Sequence, residues 1–287
     1  MLVMWMRIVL LFILSLYISF PAGAESWRDK TALLVYSPRY FGANAFPLPV
    51  LTGGDLSDRW ELELRGEYHT MPGDQTKDIF ARVYVPIAQG RAGVVVSGVI
   101  QEWYKTSEAV RDERNAVETS SPIRCFGDVI VNCYYQVLRN KRWADVVVSV
   151  NLKTASGGRL CDARFTDAAA YWFTAEAGRM LWEDTSRSAW VRLQGLAGFY
   201  CWMTNDLIHR QNDAFCYGIG LSGCFKGLSL SWDCSGIRGY KGNGDRPIVL
   251  RSTLSYEIKK NILSFGYKHG IQDYLYDSFS LAYTRCF

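Results

Sequence analysis

The sequence predicts an all-β chain: a transmembrane, antiparallel, up-and-down β-barrel of about twelve strands, between ten and fourteen. Three observations predict it. Apolar and polar residues alternate with period two from residue 60 to the end of the chain. Apolar residues make up 49% of the sequence while mean hydropathy is only −0.05, so they are dispersed along strands and not gathered into spanning helices. The connections between alternating segments are short on one side and long on the other, as in barrels whose turns are short at the periplasmic end.

The chain divides into three parts. In residues 1–24, Arg7 precedes an apolar run, residues 8–20, followed by Pro21 and the small residues Ala22, Gly23 and Ala24. This reads as a secretory signal peptide cleaved after Ala24. The apolar run is shorter than the roughly 20 residues a spanning helix needs. No Cys stands at the expected cleavage point, so a lipoprotein anchor is not expected. Residues 25–58 lack sustained alternation. Pro38, Pro47 and Pro49 disfavour regular pairing, and Gly53-Gly54-Asp55 marks a turn. This part is expected to be a periplasmic leader or a plug folded into the lumen. Residues 59–287 form the barrel.

Within it, segment 60–70 is the most strongly polarised strand. Trp60, Leu62, Leu64, Gly66 and Tyr68 share one face; Glu61, Glu63, Arg65, Glu67 and His69 share the other. A helix would spread those charges around its circumference, whereas a strand collects them on one side. Further strands are expected at 79–87, 93–103, 129–137, 146–152, 171–177, 190–202, 214–223, 227–234, 247–257, 261–269 and 274–287. The connection 178–189 is longer than its side of the barrel calls for, and the first, around Met71-Pro72-Gly73-Asp74, is short for an outer loop. Trp60, Trp103, Trp143, Trp190, Trp202, Tyr256 and Tyr274 stand near segment ends, where interfacial girdles belong.

The last strand sets Phe279, Leu281, Tyr283, Arg285 and Phe287 against Ser278, Ser280, Ala282, Thr284 and Cys286. It resembles the closing strand of bacterial outer-membrane barrels, whose terminal aromatic is the assembly signal, a role this resemblance gives Phe287. Its expected partner in closing the barrel is segment 60–70. An even strand count then places both termini in the periplasm. Tyr40 to Pro49, Gly73-Asp74-Gln75-Thr76, Val85-Pro86-Ile87 and Lys153-Thr154-Ala155-Ser156-Gly157-Gly158 resemble blocks of an uncharacterised outer-membrane barrel family of Bacteroidota. That resemblance implies location and fold and assigns no activity.

The predicted inner face carries Glu61, Glu63, Arg65, Glu67, Arg82, Asp128, Lys153, Glu176, Arg192, Asp233 and Arg251. Turned towards lipid, a midplane Arg or Lys would cost roughly 2–4 kcal/mol, so these residues fix which side of the wall is inside. Mixed signs suit ion pairs across a narrow lumen better than an ion-selective ring. Net charge is +4, with no clustered basic face that would bind nucleic acid.

Signals of chemistry are sparse. The three His lack a Ser two positions away, so none forms a nucleophilic pair on one strand, and there is no G-x-S-x-G elbow. The eight Cys show no zinc spacing and leave disulfide pairing open. Thr154-Ala155-Ser156-Gly157-Gly158 reads as an outer loop before an anion nest, and Arg111-Asp112-Glu113-Arg114 as a solvated charged segment. The expectation is a barrel without catalysis, metal or cofactor, acting as a narrow pore or small-solute transporter. The alternative is a closed or plugged barrel with a structural or surface-interaction role; further alternatives are a barrel lipid hydrolase, in which a Ser would meet a His across strands, and a soluble periplasmic β-binding protein. Expected partners are outer-membrane lipid, the barrel-assembly machinery and a small solute; oligomeric state is left open.

Overall fold

The structure, a computed structural model, describes residues 33–117, 123–139, 143–204 and 213–287. The expected signal peptide lies outside the described residues. The strands are β1 (Glu61–Met71), β2 (Asp74–Ile87), β3 (Ala92–Thr106), β4 (Ile123–Cys125), β5 (Val129–Leu138), β6 (Asp145–Lys153), β7 (Ala170–Asp184), β8 (Ala189–Cys201), β9 (Asp213–Phe225), β10 (Leu228–Gly239), β11 (Ile248–Ile258), β12 (Asn261–Gln272) and β13 (Asp277–Cys286). One short helix, α1 (Glu108–Arg114), follows β3. Every neighbouring pair is antiparallel, and β1 pairs with both β2 and β13, so the sheet closes on itself. Twelve strands form the ring; β4 is a three-residue strip attached to β3.

All twelve predicted strands are present, and closure occurs at the predicted seam. Glu61 pairs with Cys286, Leu64 with Tyr283 and His69 with Ser278 along β1 and β13. The seam continues to the end of the chain, where the Phe287 amide donates to the Trp60 carbonyl at 3.0 Å. β7 runs further than its alternation suggests. A register shift between Met180 and Trp182 leaves Leu181 and Trp182 both facing outward, and this bulge hides strand character from a period-two reading. The connection shrinks to 185–188, so this side carries only short turns: 88–91, 139–144, 185–188, 226–227 and 259–260. On the other side, 107–128, 154–169 and 202–212 are long. The exceptions are the four-residue connection 273–276 and the turn at 72–73, where Gly73 has φ +84° and an added Cβ would meet Ser107 Oγ at 2.5 Å.

The outer face is apolar on every ring strand, with Leu62, Ile79, Val96, Val137, Val150, Phe173, Leu193, Ile219, Trp232, Leu254, Phe265 and Leu281 all exposed. An apolar surface that encircles the molecule calls for a lipid environment. Of the aromatics expected at the rims, Trp103, Trp143 and Tyr256 lie on this surface. Trp202 and Tyr274 do not: both are buried, Trp202 against Phe46. They lie just beyond β8 and just before β13, where the chain turns over the mouth and the alternation rule lapses. Seven cysteines (Cys125, Cys133, Cys201, Cys216, Cys224, Cys234 and Cys286) are free thiols.

The hydrophobic core lies inside the barrel. Phe41, Phe46 and Leu48, from residues that precede β1, pack with Trp172, Leu196, Tyr200, Trp202 and Ile237 of the wall and its rim.

Candidate functional site: the lumen

Alternation turns every second side chain of each strand inward; of the eleven sequence-selected charges, Arg65, Glu67, Asp128, Glu176, Asp233 and Arg251 line the internal cavity. They come together in separate groups. Glu61 accepts from Arg82 at 2.8 Å, Arg82 is 3.8 Å from Glu63, and Arg65 lies 3.2 Å from Glu63 and 3.4 Å from Glu67. These five make a ladder of alternating sign across β1 and β2. Lys153 pairs with Asp128 at 2.7 Å, Arg251 with Asp233 at 2.8 Å, and Arg192 with Asp145 at 2.6 Å. Among the described residues Glu176 has no cation partner; it accepts from the amides of Thr52 (2.9 Å) and Gly53 (2.6 Å) and from Thr52 Oγ1. Among the described residues no ring of one sign forms.

These last contacts belong to a segment that precedes β1 and runs through the lumen. At the rim with the long connections, Ser37 Oγ donates to the Asn243 carbonyl and the Arg39 amide to the Gly244 carbonyl. Further in, Asn44 Nδ2 donates to Asp78 (2.8 Å) and Glu102 (3.0 Å). Arg251 and Ser235 both donate to the Pro49 carbonyl, and Arg192 Nε to the Gly53 carbonyl at 2.6 Å. At the rim with the short turns, Gln136 brackets Leu56 and Gly54, Tyr84 donates to the Ser57 carbonyl, and Arg59 pairs with Glu257 at 2.6 Å. The turn that brings Thr52 and Gly53 onto Glu176 needs glycine. Gly54 has φ +73°, and an added Cβ would sit 2.5 Å from the Gly178 amide. Phe287 lies beside Trp60, and Ser37 and Arg39, near the start of the described residues, are at the opposite rim.

Two long connections fold over that same rim. Arg164 is fully buried and donates to Asp74 (2.8 Å), Glu102 (2.9 Å) and Thr76 (2.7 Å), with Tyr104 stacked 4.4 Å from its guanidinium. Burial opposes its charge, but Asp74 and Glu102 outweigh that and raise its pKa well above the ordinary arginine range. Arg114 of α1 also pairs with Asp74, at 2.8 Å, and Tyr276 donates to the same carboxylate. Arg114 is therefore not the solvated residue expected of the Arg111–Arg114 run; the helix turns it down into the mouth. Burial pushes the Tyr276 phenol up, so it stays protonated as a donor. The Gly157 amide, in the stretch considered as an anion nest, binds this chain's own Asp128 carboxylate at 2.7 Å.

Sequence reasoning missed Asn44, Asp74, Glu102, Arg114, Arg164 and Tyr276 as partners, because each contact joins distant stretches. It also missed what surrounds His69, whose Nδ1 is 2.7 Å from Ser278 Oγ and whose Nε2 is 2.8 Å from Asp78. Glu67, His69 and Asp78 bring three potential metal ligands within 4.8 Å of one another. Both ring nitrogens are already bonded and Glu67 faces Arg65, so a cation would have to displace existing partners. Between segment and wall remains a cavity of about 440 Å³, lined among others by Arg65, Glu67, Glu176, Asp233, Arg251, Lys268 and Ser278.

Comparison with known proteins places this architecture. The chain matches solved outer-membrane barrels along most of its length. The transport unit of the autotransporter AIDA-I from Escherichia coli aligns with TM-score 0.52 and 10% identity, over 87% of this chain and 98% of that one. The KdgM porin aligns with TM-score 0.49 and 9% identity, over 78% of this chain and 99% of that one. The NanC porin gives the same score and identity, over 78% and 98%. The likeness is one of fold. No protein-family model matches the chain, and no curated protein matches it.

Proposed function

We propose that the protein is an outer-membrane β-barrel that acts as a narrow pore or small-solute transporter, held shut in this conformation by residues 34–58. The observation that carries the reading is the two-faced wall. Its outside is apolar on all ring strands; its inside is lined by paired charges around a polar cavity of about 440 Å³. The interior is filled by a separate segment, whose Phe41, Phe46 and Leu48 pack with Trp172 and Tyr200 and whose backbone amides and carbonyls bond to wall side chains, bonds that displacement would exchange for water.

In this proposal residues 1–24 are a cleaved signal peptide, 25–58 carry the plug and 59–287 the membrane barrel. The short-turn rim faces the periplasm, and Phe287 is the signal read by the assembly machinery. The family resemblance in Tyr40 to Pro49 falls on the plug itself. Planar-bilayer recording tests the proposal: discrete conductance steps are expected when residues 25–58 are deleted, and rare openings with the full chain. Heat-modifiable gel migration checks that both proteins are folded. No current from either folded barrel would favour the second reading, a permanently closed barrel presenting its long connections outside. That reading draws support from the Arg164 and Arg114 contacts that tie two of those connections to Asp74.

A further inference from the structure

We infer that Ser278, His69 and Asp78 form a serine-nucleophile site facing the lumen, suited to hydrolysing a small acyl ester. The three residues come from β13, β1 and β2, which are adjacent across the closing seam. Register places His69 opposite Ser278 on one side and opposite Thr76 on the other, which leaves Asp78 one diagonal step away. All three point inward and are nearly inaccessible, at 4%, 0% and 3% exposure.

Hydrogen-bond chemistry assigns the proton positions. An ionised carboxylate only accepts. Asp78 Oδ2 takes bonds from Asn44 Nδ2 and from His69 Nε2, both at 2.8 Å, so the imidazole proton is on Nε2. Nδ1 is then the lone-pair nitrogen, and at 2.7 Å from Ser278 Oγ it accepts the hydroxyl proton. The hydroxyl is thereby polarised towards a general base whose tautomer a third group fixes, which is the arrangement an activated serine requires. The other Asp78 oxygen, Oδ1, is buried and has no protein partner among the described residues.

The surroundings supply the rest. Ser278 lines the 440 Å³ cavity, as do Lys268 and Tyr274. Lys268 is directly opposite Ser278 in the β12–β13 pairing, and its ammonium lies 4.6 Å from the Tyr274 ring. Tyr274 Oη is 3.4 Å from Ser278 Oγ. Lys268 and Tyr274 thus line the cavity beside Ser278, with Tyr274 Oη donating to the Ala43 carbonyl at 3.3 Å. In the first step Oγ adds to the ester carbonyl carbon while its proton passes to Nδ1. The tetrahedral adduct then expels the alcohol, which takes the proton from Nδ1, and leaves an acyl-serine. In the second step water, deprotonated by Nδ1, adds to the acyl carbon; the carboxylic acid leaves and the proton returns to Oγ. Membrane lipid is excluded as substrate, because it would meet the outward Phe279 and Leu281 and not Ser278.

The test uses the full chain folded in detergent and diisopropyl fluorophosphate, a probe small enough for the cavity. The adduct is mapped by peptide mass spectrometry. Ser278 is expected to be labelled at least 100-fold faster than Ser280, which lines the same cavity without a histidine bonded to it. His69→Gln and Asp78→Asn should each slow labelling 10-fold or more, with p-nitrophenyl acetate hydrolysis falling in parallel and heat-modifiable migration retained. Labelling of Ser278 no faster than of Ser280 overturns the inference. That readout is taken on the unmodified protein, so it does not depend on any variant folding, and it is independent of conductance.

Discussion

Glu176 is the point at which the plug is most open to a single substitution. Its carboxylate takes the Thr52 and Gly53 amides and the Thr52 hydroxyl, with no cation among the described residues to share the load. Glu176→Ala removes the acceptor of two amides, those of exposed Thr52 and half-buried Gly53. Each costs about 1–3 kcal/mol, so docking of the segment should weaken by roughly 2–6 kcal/mol. At about 1.4 kcal/mol per tenfold, the closed-to-open ratio should fall by a factor of roughly 30 to 10⁴. Glu176→Gln keeps a carbonyl acceptor and should lose only the charge-assisted share, giving a smaller effect in the same direction. Single-channel recording in planar bilayers reads the open probability directly. A Leu51→Cys reporter, scored with a thiol reagent, reads whether the segment has left the wall. If Glu176→Ala leaves both the open probability and the Leu51→Cys reactivity at the level of the unmodified barrel, the segment is not a gate and the reasoning fails.

Three further outcomes follow from the same geometry. Arg164→Met should destabilise the barrel by about 3–5 kcal/mol, because Asp74 and Glu102 would lose their shared buried cation; urea midpoints read from heat-modifiable migration measure it. Gly54→Ala should undock the turn and raise basal conductance, since its φ is +73° and its added Cβ would collide with Gly178, whereas Gly242→Ala, also at positive φ but with open space around it, should not. Paired cysteines at Leu64 and Tyr283 should crosslink across the seam, and cysteines at Leu64 and Phe279 should not, which checks the β1–β13 register by gel.

Much of the fold is local and therefore legible in sequence. Alternation in Glu61-Leu62-Glu63-Leu64-Arg65 sets which side of β1 is wet, whatever the strand pairs with, because successive side chains of a strand point to opposite faces. It missed the end of β7 where a bulge breaks the period, and misplaced Trp202 and Tyr274 where the chain leaves the wall. The candidate site was far less legible. His69 was correctly put on the polar face of β1, and β13 was named as its neighbouring strand. Which residue of β13 it meets depends on register, and a shift of two residues would replace Ser278 with Ser280 at no cost to the alternation.

The sequence by itself determined a count of about twelve strands and the polar and apolar face of each, from short-range periodicity and the sign of transfer to lipid, and the seam, because an up-and-down barrel closes its first strand on its last. Only the tertiary structure decided that residues before β1 run down the lumen, that Arg164 and Arg114 converge on Asp74, and that Ser278, His69 and Asp78 meet. Those contacts join stretches up to about two hundred residues apart. Their energies come from burying polar groups that must find partners in three dimensions, and no local pattern records which partner that will be.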